Sequence, residues 1–173
     1  MVKGTYEHSD TFIQRDVNPV GIYGSVSLKI QKGAGFAENP EFSYQLDDTL
    51  ENARLHLKVK IKNLETASLR WSITDCFTGA VVFLKNEDLV SIQSCNGSEP
   101  AVACLDGVLS HIRLWNTWDK GTPFVYRVKV ALCTKDGSVM ESYEETTGFR
   151  KIEMQRTPEM TKFILNGKDF YMR

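Results

Sequence analysis

Ala53-Arg54-Leu55-His56-Leu57-Lys58-Val59-Lys60-Ile61-Lys62 alternates without an exception, apolar at the odd positions and polar at the even ones. A strand sends successive side chains to opposite faces, whereas a helix would scatter these apolar groups around its circumference. The segment therefore predicts a strand with one buried and one wetted face. The same period returns at Leu69, Trp71 and Ile73, opposed by Ser68, Arg70, Ser72 and Thr74, and again at Phe124, Tyr126, Val128, Val130 and Leu132. Shorter candidates lie at 24–31, 40–46, 80–84, 89–94, 108–114 and 138–147, and no amphipathic helix runs for three turns. Thr78-Gly79, Asn96-Gly97, Asp106-Gly107, Asp136-Gly137 and Asn166-Gly167 supply residues that tolerate positive φ where a hairpin must reverse.

Short strands at this spacing predict an all-β fold, two antiparallel sheets packed as a sandwich. Trp71, in the middle of an early strand, resembles the core tryptophan of immunoglobulin-like domains, although the strand before it has no cysteine for the usual bridge between sheets. Residues 1–20 carry little apolar periodicity and read as a loosely held arm. At the other end, Lys162-Phe163-Ile164-Leu165, Asn166-Gly167 and Lys168-Asp169-Phe170-Tyr171 read as a small appended hairpin.

Composition narrows the function. In 173 residues, 21 Lys plus Arg against 22 Asp plus Glu give a net charge of −1, which removes the reason to expect nucleic acid as a partner. The longest apolar run, Ala80-Val81-Val82-Phe83-Leu84, is far short of the roughly 20 residues that span a bilayer, so no membrane partner is expected. The first residues lack the apolar core of a secretion signal, so the protein is expected to be either cytosolic or an excised piece of a longer one whose compartment, periplasmic, secreted or cytoplasmic, stays open. Cys76, Cys95, Cys104 and Cys133 lack zinc spacing and read as small apolar residues, except that a turn at Asn96-Gly97 would bring Cys95 and Cys104 within bridging reach.

Candidate chemistry is sparse. Arg54, His56, Lys58, Lys60 and Lys62 repeat about 6.6 Å apart along one strand face, a spacing that suits an anionic chain. With no aromatic interleaved there, the face reads instead as solvated and neutralised by Glu141, Glu144 or Glu145. Paired carboxylates occur at Asp47-Asp48, Glu87-Asp88 and Glu144-Glu145, but neighbours on a strand face opposite ways and the first two pairs are expected in turns, so none is assigned catalysis. His8, His56 and His111 form no metal spacing, His111 being expected inside a strand, and there is no Gly-x-Ser-x-Gly turn. Asn96-Gly97-Ser98 fits a glycosylation sequon but reads as a turn. No catalytic residue, metal site or cofactor is predicted.

Leu114-Trp115, Pro123-Phe124-Val125-Tyr126-Arg127-Val128, Gly148-Phe149-Arg150-Lys151-Ile152-Glu153 and Leu165-Asn166-Gly167-Lys168 follow one another in an order that resembles glycoside hydrolase family 2, the β-galactosidase and β-mannosidase relatives. The resemblance implies a jelly-roll sugar-binding domain, then an immunoglobulin-like sandwich, then a TIM barrel with two catalytic glutamates. On it, residues 1–39 correspond to an arm and the end of the jelly roll, through Pro19-Val20-Gly21-Ile22-Tyr23-Gly24-Ser25-Val26-Ser27-Leu28. Residues 40–150 correspond to the sandwich, and 151–173 to a hairpin leading into the barrel. The parent would be a retaining hydrolase of O-glycosidic bonds, with a carbohydrate substrate, while this stretch holds neither nucleophile nor acid; its Asn86-Glu87 is a chance likeness to the barrel's Asn-Glu. Asn116-Thr117-Trp118-Asp119-Lys120-Gly121-Thr122 stands where the family has Pro soon after Leu-Trp, and Val125 replaces its Leu, so galactoside, mannoside and glucuronide specificities stay unseparated.

The resemblance implies partners in the jelly roll and barrel, with Leu114, Trp115, Pro123, Tyr126, Gly148, Phe149 and Arg150 as candidates for packing or interdomain docking, and Arg150 pairing across the boundary. The alternative is a free-standing module that binds carbohydrate through exposed aromatics such as Trp115 and Trp118. A complete enzyme is a third reading, for which no acid, base and nucleophile converge.

Overall fold

The structure, a computed structural model, describes residues 24, 26, 28, 30, 33–62, 67–89 and 100–170. The arm at 1–20, the strand candidate beyond Leu89, the Cys95 pairing, the Asn96-Gly97 turn or sequon and Tyr171 lie outside the described residues.

The eleven strands among the described residues fall within one compact unit, Lys32–Arg173. The first sheet is built around β3 (Asn52–Lys62). On one edge it pairs with β1 (Gly35–Phe36) and β2 (Glu41–Leu46), on the other with β6 (Ala101–Ser110). The second sheet has the order β5 (Val81–Asp88), β4 (Ala67–Asp75), β7 (Tyr126–Thr134), β8 (Val139–Thr147). Every pairing is antiparallel, and the chain passes between sheets after β3, β5 and β6, the immunoglobulin-like sandwich. A separate three-stranded sheet follows, in the order β11 (Lys168–Phe170), β10 (Thr161–Leu165), β9 (Ile152–Arg156).

The odd positions of β3 do what their pattern dictates: Ala53, Leu55, Leu57, Val59 and Ile61 are all at most 1% exposed. They face Leu69, Trp71, Ile73, Val128, Val130 and Leu132 of the second sheet, every one of them buried. Trp71 is fully covered, with the Phe83 ring 4.8 Å away edge-on and Phe42 at 6.2 Å. Burying side chains of this size contributes about 1.5–3 kcal/mol each, which makes the interior the main source of stability.

Several elements differ from the expectation. Gly24, Val26, Leu28 and Ile30, the described residues of the 24–31 candidate, are exposed and outside any strand. The 108–114 candidate begins at Ala101 and stops at Ser110, where His111 takes φ 56°; His111 therefore ends a strand rather than lying within one. Asp106-Gly107 is no turn but the middle of β6, with Gly107 opposite Leu55. Its glycine serves a packing purpose, since a Cβ there would meet the Phe83 ring of the opposite sheet at 2.6 Å. Glu87-Asp88 likewise belongs to β5, where Lys85 and Glu87 pair at 3.6 Å, and not to a turn. On the basic face of β3, Lys58 pairs with Glu41 of β2 at 3.3 Å, Lys60 with Glu38 of the β1–β2 connection at 2.8 Å, and His56 Nδ1 lies 2.8 Å from the Asp106 carboxylate of β6. Of the acids expected to neutralise that face, Glu144 pairs instead with Lys129 of β7 at 2.8 Å and Glu145 accepts the Tyr143 hydroxyl at 3.1 Å, while Glu141 reaches the first sheet at the Phe36 N–H, 2.7 Å away. The C-terminal hairpin has a third strand, β9, which the pattern concealed because only Ile152 and Met154 are apolar in it.

Gly107→Ala should lower unfolding free energy by about 1–3 kcal/mol through overpacking against Phe83. Combined with Phe83→Leu it should cost less than the two single changes together, a coupling that urea titration of the four proteins measures.

Candidate functional site

The residues singled out from the sequence meet at one end of the sandwich, where the chain leaves β8. Phe149, fully buried, has the Tyr44 ring 4.9 Å away on one side and the Tyr126 ring 5.0 Å away on the other, both edge-on. Such pairs contribute about 0.5–1.5 kcal/mol each beyond area burial. The Tyr44 hydroxyl donates toward the Gly148 carbonyl at 2.9 Å and lies 3.2 Å from that of Arg150, while accepting the Arg150 N–H at 3.0 Å. Tyr126 accepts the Arg113 N–H on its hydroxyl at 2.8 Å. One phenol from each sheet thus holds a segment of irregular backbone whose own groups would otherwise lack partners.

Trp115 closes the other side. Its N–H donates to the Phe149 carbonyl at 2.8 Å, it forms an isolated bridge with Pro123, and the Arg150 guanidinium lies 4.7 Å from its ring centroid, in the range of a cation–π contact. Gly148 is there of necessity: a Cβ would meet Trp115 at 2.7 Å. Leu114 packs half-buried on the core, and Pro123 is exposed. The structure thus brings Trp115, Pro123, Tyr126, Gly148, Phe149 and Arg150 into one connected cluster. Trp118 stands apart from these contacts at 86% exposure, in a turn closed by Lys120 and Gly121 N–H groups on the Thr117 carbonyl. Beside that turn, Lys120, Met160, Phe163 and Phe170 help line an open groove of about 480 Å³.

Two features escaped sequence reading. Asn166, read as a turn residue and as part of the Leu165–Lys168 motif but given no contact outside its hairpin, donates through Nδ2 to the Trp115 carbonyl at 2.9 Å and to Asn116 Oδ1 at 3.1 Å, and accepts the Lys151 N–H at 2.9 Å. Asp75, 6% exposed, is ion-paired with Arg113, whose guanidinium stacks 4.3 Å from the Phe124 centroid and 5.5 Å from that of Phe77. Asp75 also accepts the N–H groups of Phe77 at 2.8 Å and Thr78 at 3.1 Å, so its charge is matched on both oxygens. No local spacing reveals contacts made across 38 or 50 residues of chain.

The carboxylates read as pairs have separate partners: Asp47 holds the Asn52 amide at 2.6 Å, Glu144 pairs with Lys129 at 2.8 Å, and Glu145 accepts the Tyr143 hydroxyl at 3.1 Å. Among the described residues no group of three or more His, Cys, Asp or Glu is placed to hold a metal ion. This end of the molecule fixes the exit of the sandwich, the 112–125 segment and the turn of the last hairpin relative to one another.

The sequence pattern of the Glycosyl hydrolases family 2 matches residues 36–150, the sandwich with its Phe149-Arg150 exit. The chain belongs to that family. It is similar, at 24% identity over 168 residues, to a β-galactosidase of Kluyveromyces lactis, with 88% of this chain and 15% of that protein covered. The family 2 chain thus spans about a seventh of the length of that relative. Among solved structures it resembles a candidate β-galactosidase from Bacteroides fragilis, with TM-score 0.62 and 21% identity over 78% of this chain and 19% of that one. It also resembles the β-glucuronidase of Parabacteroides merdae, with TM-score 0.59 and 23% identity over 81% and 16%. At this level of identity the structural likeness establishes the fold.

Tyr44→Phe should lower stability by about 1–3 kcal/mol, by leaving backbone groups at 148–150 without their partner, and should speed amide exchange at Arg150 before that of β7. A second expectation concerns acid. Hydrogen bonds from Lys60 to Glu38, Lys129 to Glu144, Asn52 to Asp47 and Thr134 to Asp136 hold these carboxyls below their ordinary values. Their contribution to stability should be complete above the ordinary carboxylate range and drain away as pH falls through the depressed folded values, visible in denaturation midpoints taken down the acid limb.

Proposed function

We propose that this chain serves as the non-catalytic spacer of a family 2 glycosidase, holding a sugar-binding jelly roll and a catalytic TIM barrel at a fixed separation. The parent chemistry would be retaining hydrolysis of O-glycosidic bonds, in the range of the β-galactosidase and β-glucuronidase relatives and of the β-mannosidases that the sequence resembles. The observation that carries this reading is the cluster around Phe149. Rings, a cation–π contact and backbone hydrogen bonds converge on the few residues that join sandwich to terminal sheet, where a spacer needs stiffness. Active sites tolerate misplacement of well under about 1 Å, so rigidity at a junction reaches the chemistry. Leu114, Trp115, Pro123, Tyr126, Gly148, Phe149 and Arg150 are then junction residues, with Arg150 exposed and able to meet a neighbouring domain.

A second reading, a carbohydrate-binding module, draws support from the Trp118 ring and the groove beside its turn, since sugars stack on flat aromatics. The two readings part on one assay. Under the spacer reading the purified chain leaves nitrophenyl β-galactoside, β-glucuronide and β-mannoside unhydrolysed and gives no signal on a glycan array. Glycan binding abolished by Trp118→Ala would replace the spacer with the module, and turnover of any of the three substrates would overturn both.

A further inference from the structure

The geometry points to Asn166 as the positioning residue that sets the orientation of the terminal sheet on the sandwich, an inference that rests on the spacer reading for its use but not for its test. Asn166 has φ 51° and Gly167 φ 78°, the pair of positive values that a tight two-residue hairpin turn requires. The turn joins β10 to β11, yet its asparagine is bonded wholly elsewhere. Its backbone N–H donates to the Lys151 carbonyl at 2.8 Å and its Oδ1 accepts the Lys151 N–H at 2.9 Å, gripping the link between β8 and β9 from both sides. Its Nδ2 donates to the Trp115 carbonyl and to Asn116 Oδ1. Trp115 in turn donates its N–H to Phe149, two residues before Lys151, so the contacts close a ring through 115, 149, 151 and 166.

Few side chains satisfy that ring. The site needs an acceptor and two donors on one short planar group, from a residue that enters the left-handed region at modest cost. Aspartate keeps the turn and the acceptor but has no donor, and its charge would face the Trp115 carbonyl and the Asn116 oxygen. Glycine keeps the turn alone. β9 carries Ile152 and Met154, and the turn after it Met160, all more than half exposed, so the orientation of the terminal sheet decides where these apolar groups point. A rotation about the Lys151 link would move them without altering either sheet of the sandwich.

The test is solution NMR of the full 173-residue chain, comparing Asn166→Asp and Asn166→Gly with the unaltered protein. Residual dipolar couplings from β6, β7, β9 and β10 should fit one alignment tensor in the parent chain. In both variants β6 and β7 should keep a common tensor while β9 and β10 require a second. A single tensor for all four strands in the variants would overturn the assignment. Should either variant fail to fold, the parent chain still decides: the Asn166 side-chain amide should exchange at least about tenfold more slowly than a free amide, and exchange at the free rate would refute it. Asn116→Ala, which removes one acceptor and leaves the turn intact, should raise that exchange rate severalfold, and an unchanged rate counts against the assignment. In a complete family 2 enzyme, reorientation should lower kcat with KM held. Reorientation of the sheet with kcat unchanged would sink the spacer reading and leave the role of Asn166 standing.

Discussion

The fold rests on Phe149 being buried between two tyrosines that come from opposite sheets. Tyr44 reaches it from β2 and Tyr126 from β7, so the ring bridges layers that backbone hydrogen bonds cannot join. Sheets pack through side chains alone, and a large ring at one end fixes their separation there as Trp71 does in the middle. Because Phe149 belongs to the segment that leaves the sandwich, the same contact that closes the core also directs the outgoing chain. Interior packing and the direction of the outgoing chain are therefore one problem at this end of the molecule.

The all-β class was legible because β3, β4 and β7 each bury a single face, and one wetted face leaves an unambiguous period of two. Legibility failed where a second cause overrode the local signal. Asp106-Gly107 has the composition of a turn, but its glycine is selected by the ring of Phe83, which arrives from 24 residues earlier on the other sheet. β9 has too few apolar side chains to show a period, since its partner is β10 and its outer face is wet. The partners of Lys58 and Lys60, Glu41 and Glu38, come from the residues just before β3, and Glu144 pairs with Lys129 of its neighbour β7, because sheet order is not written in any local pattern.

The candidate site was legible only as an ordered set of short motifs resembling a family, and the structure shows what joins them. Trp115, Gly148, Phe149 and Arg150 touch one another directly, whereas Leu114 mainly extends the core. The long-range contacts of Asn166 and of the Asp75–Arg113 pair were invisible in advance for a common reason. A polar side chain that satisfies distant backbone looks, in sequence, like any turn or surface residue. Only the accounting of which N–H and carbonyl groups lack strand partners points back to it.

The hydrogen bond from the Phe36 N–H to Glu141 Oε2, 2.7 Å long, ties the short β1 on the flank of the first sheet to β8, the outermost strand of the second. Unpaired edges are where a foreign strand adds to a sheet and seeds aggregation. By occupying a main-chain donor at that border with a carboxylate from across the gap, the molecule seals part of one seam against intruding chains.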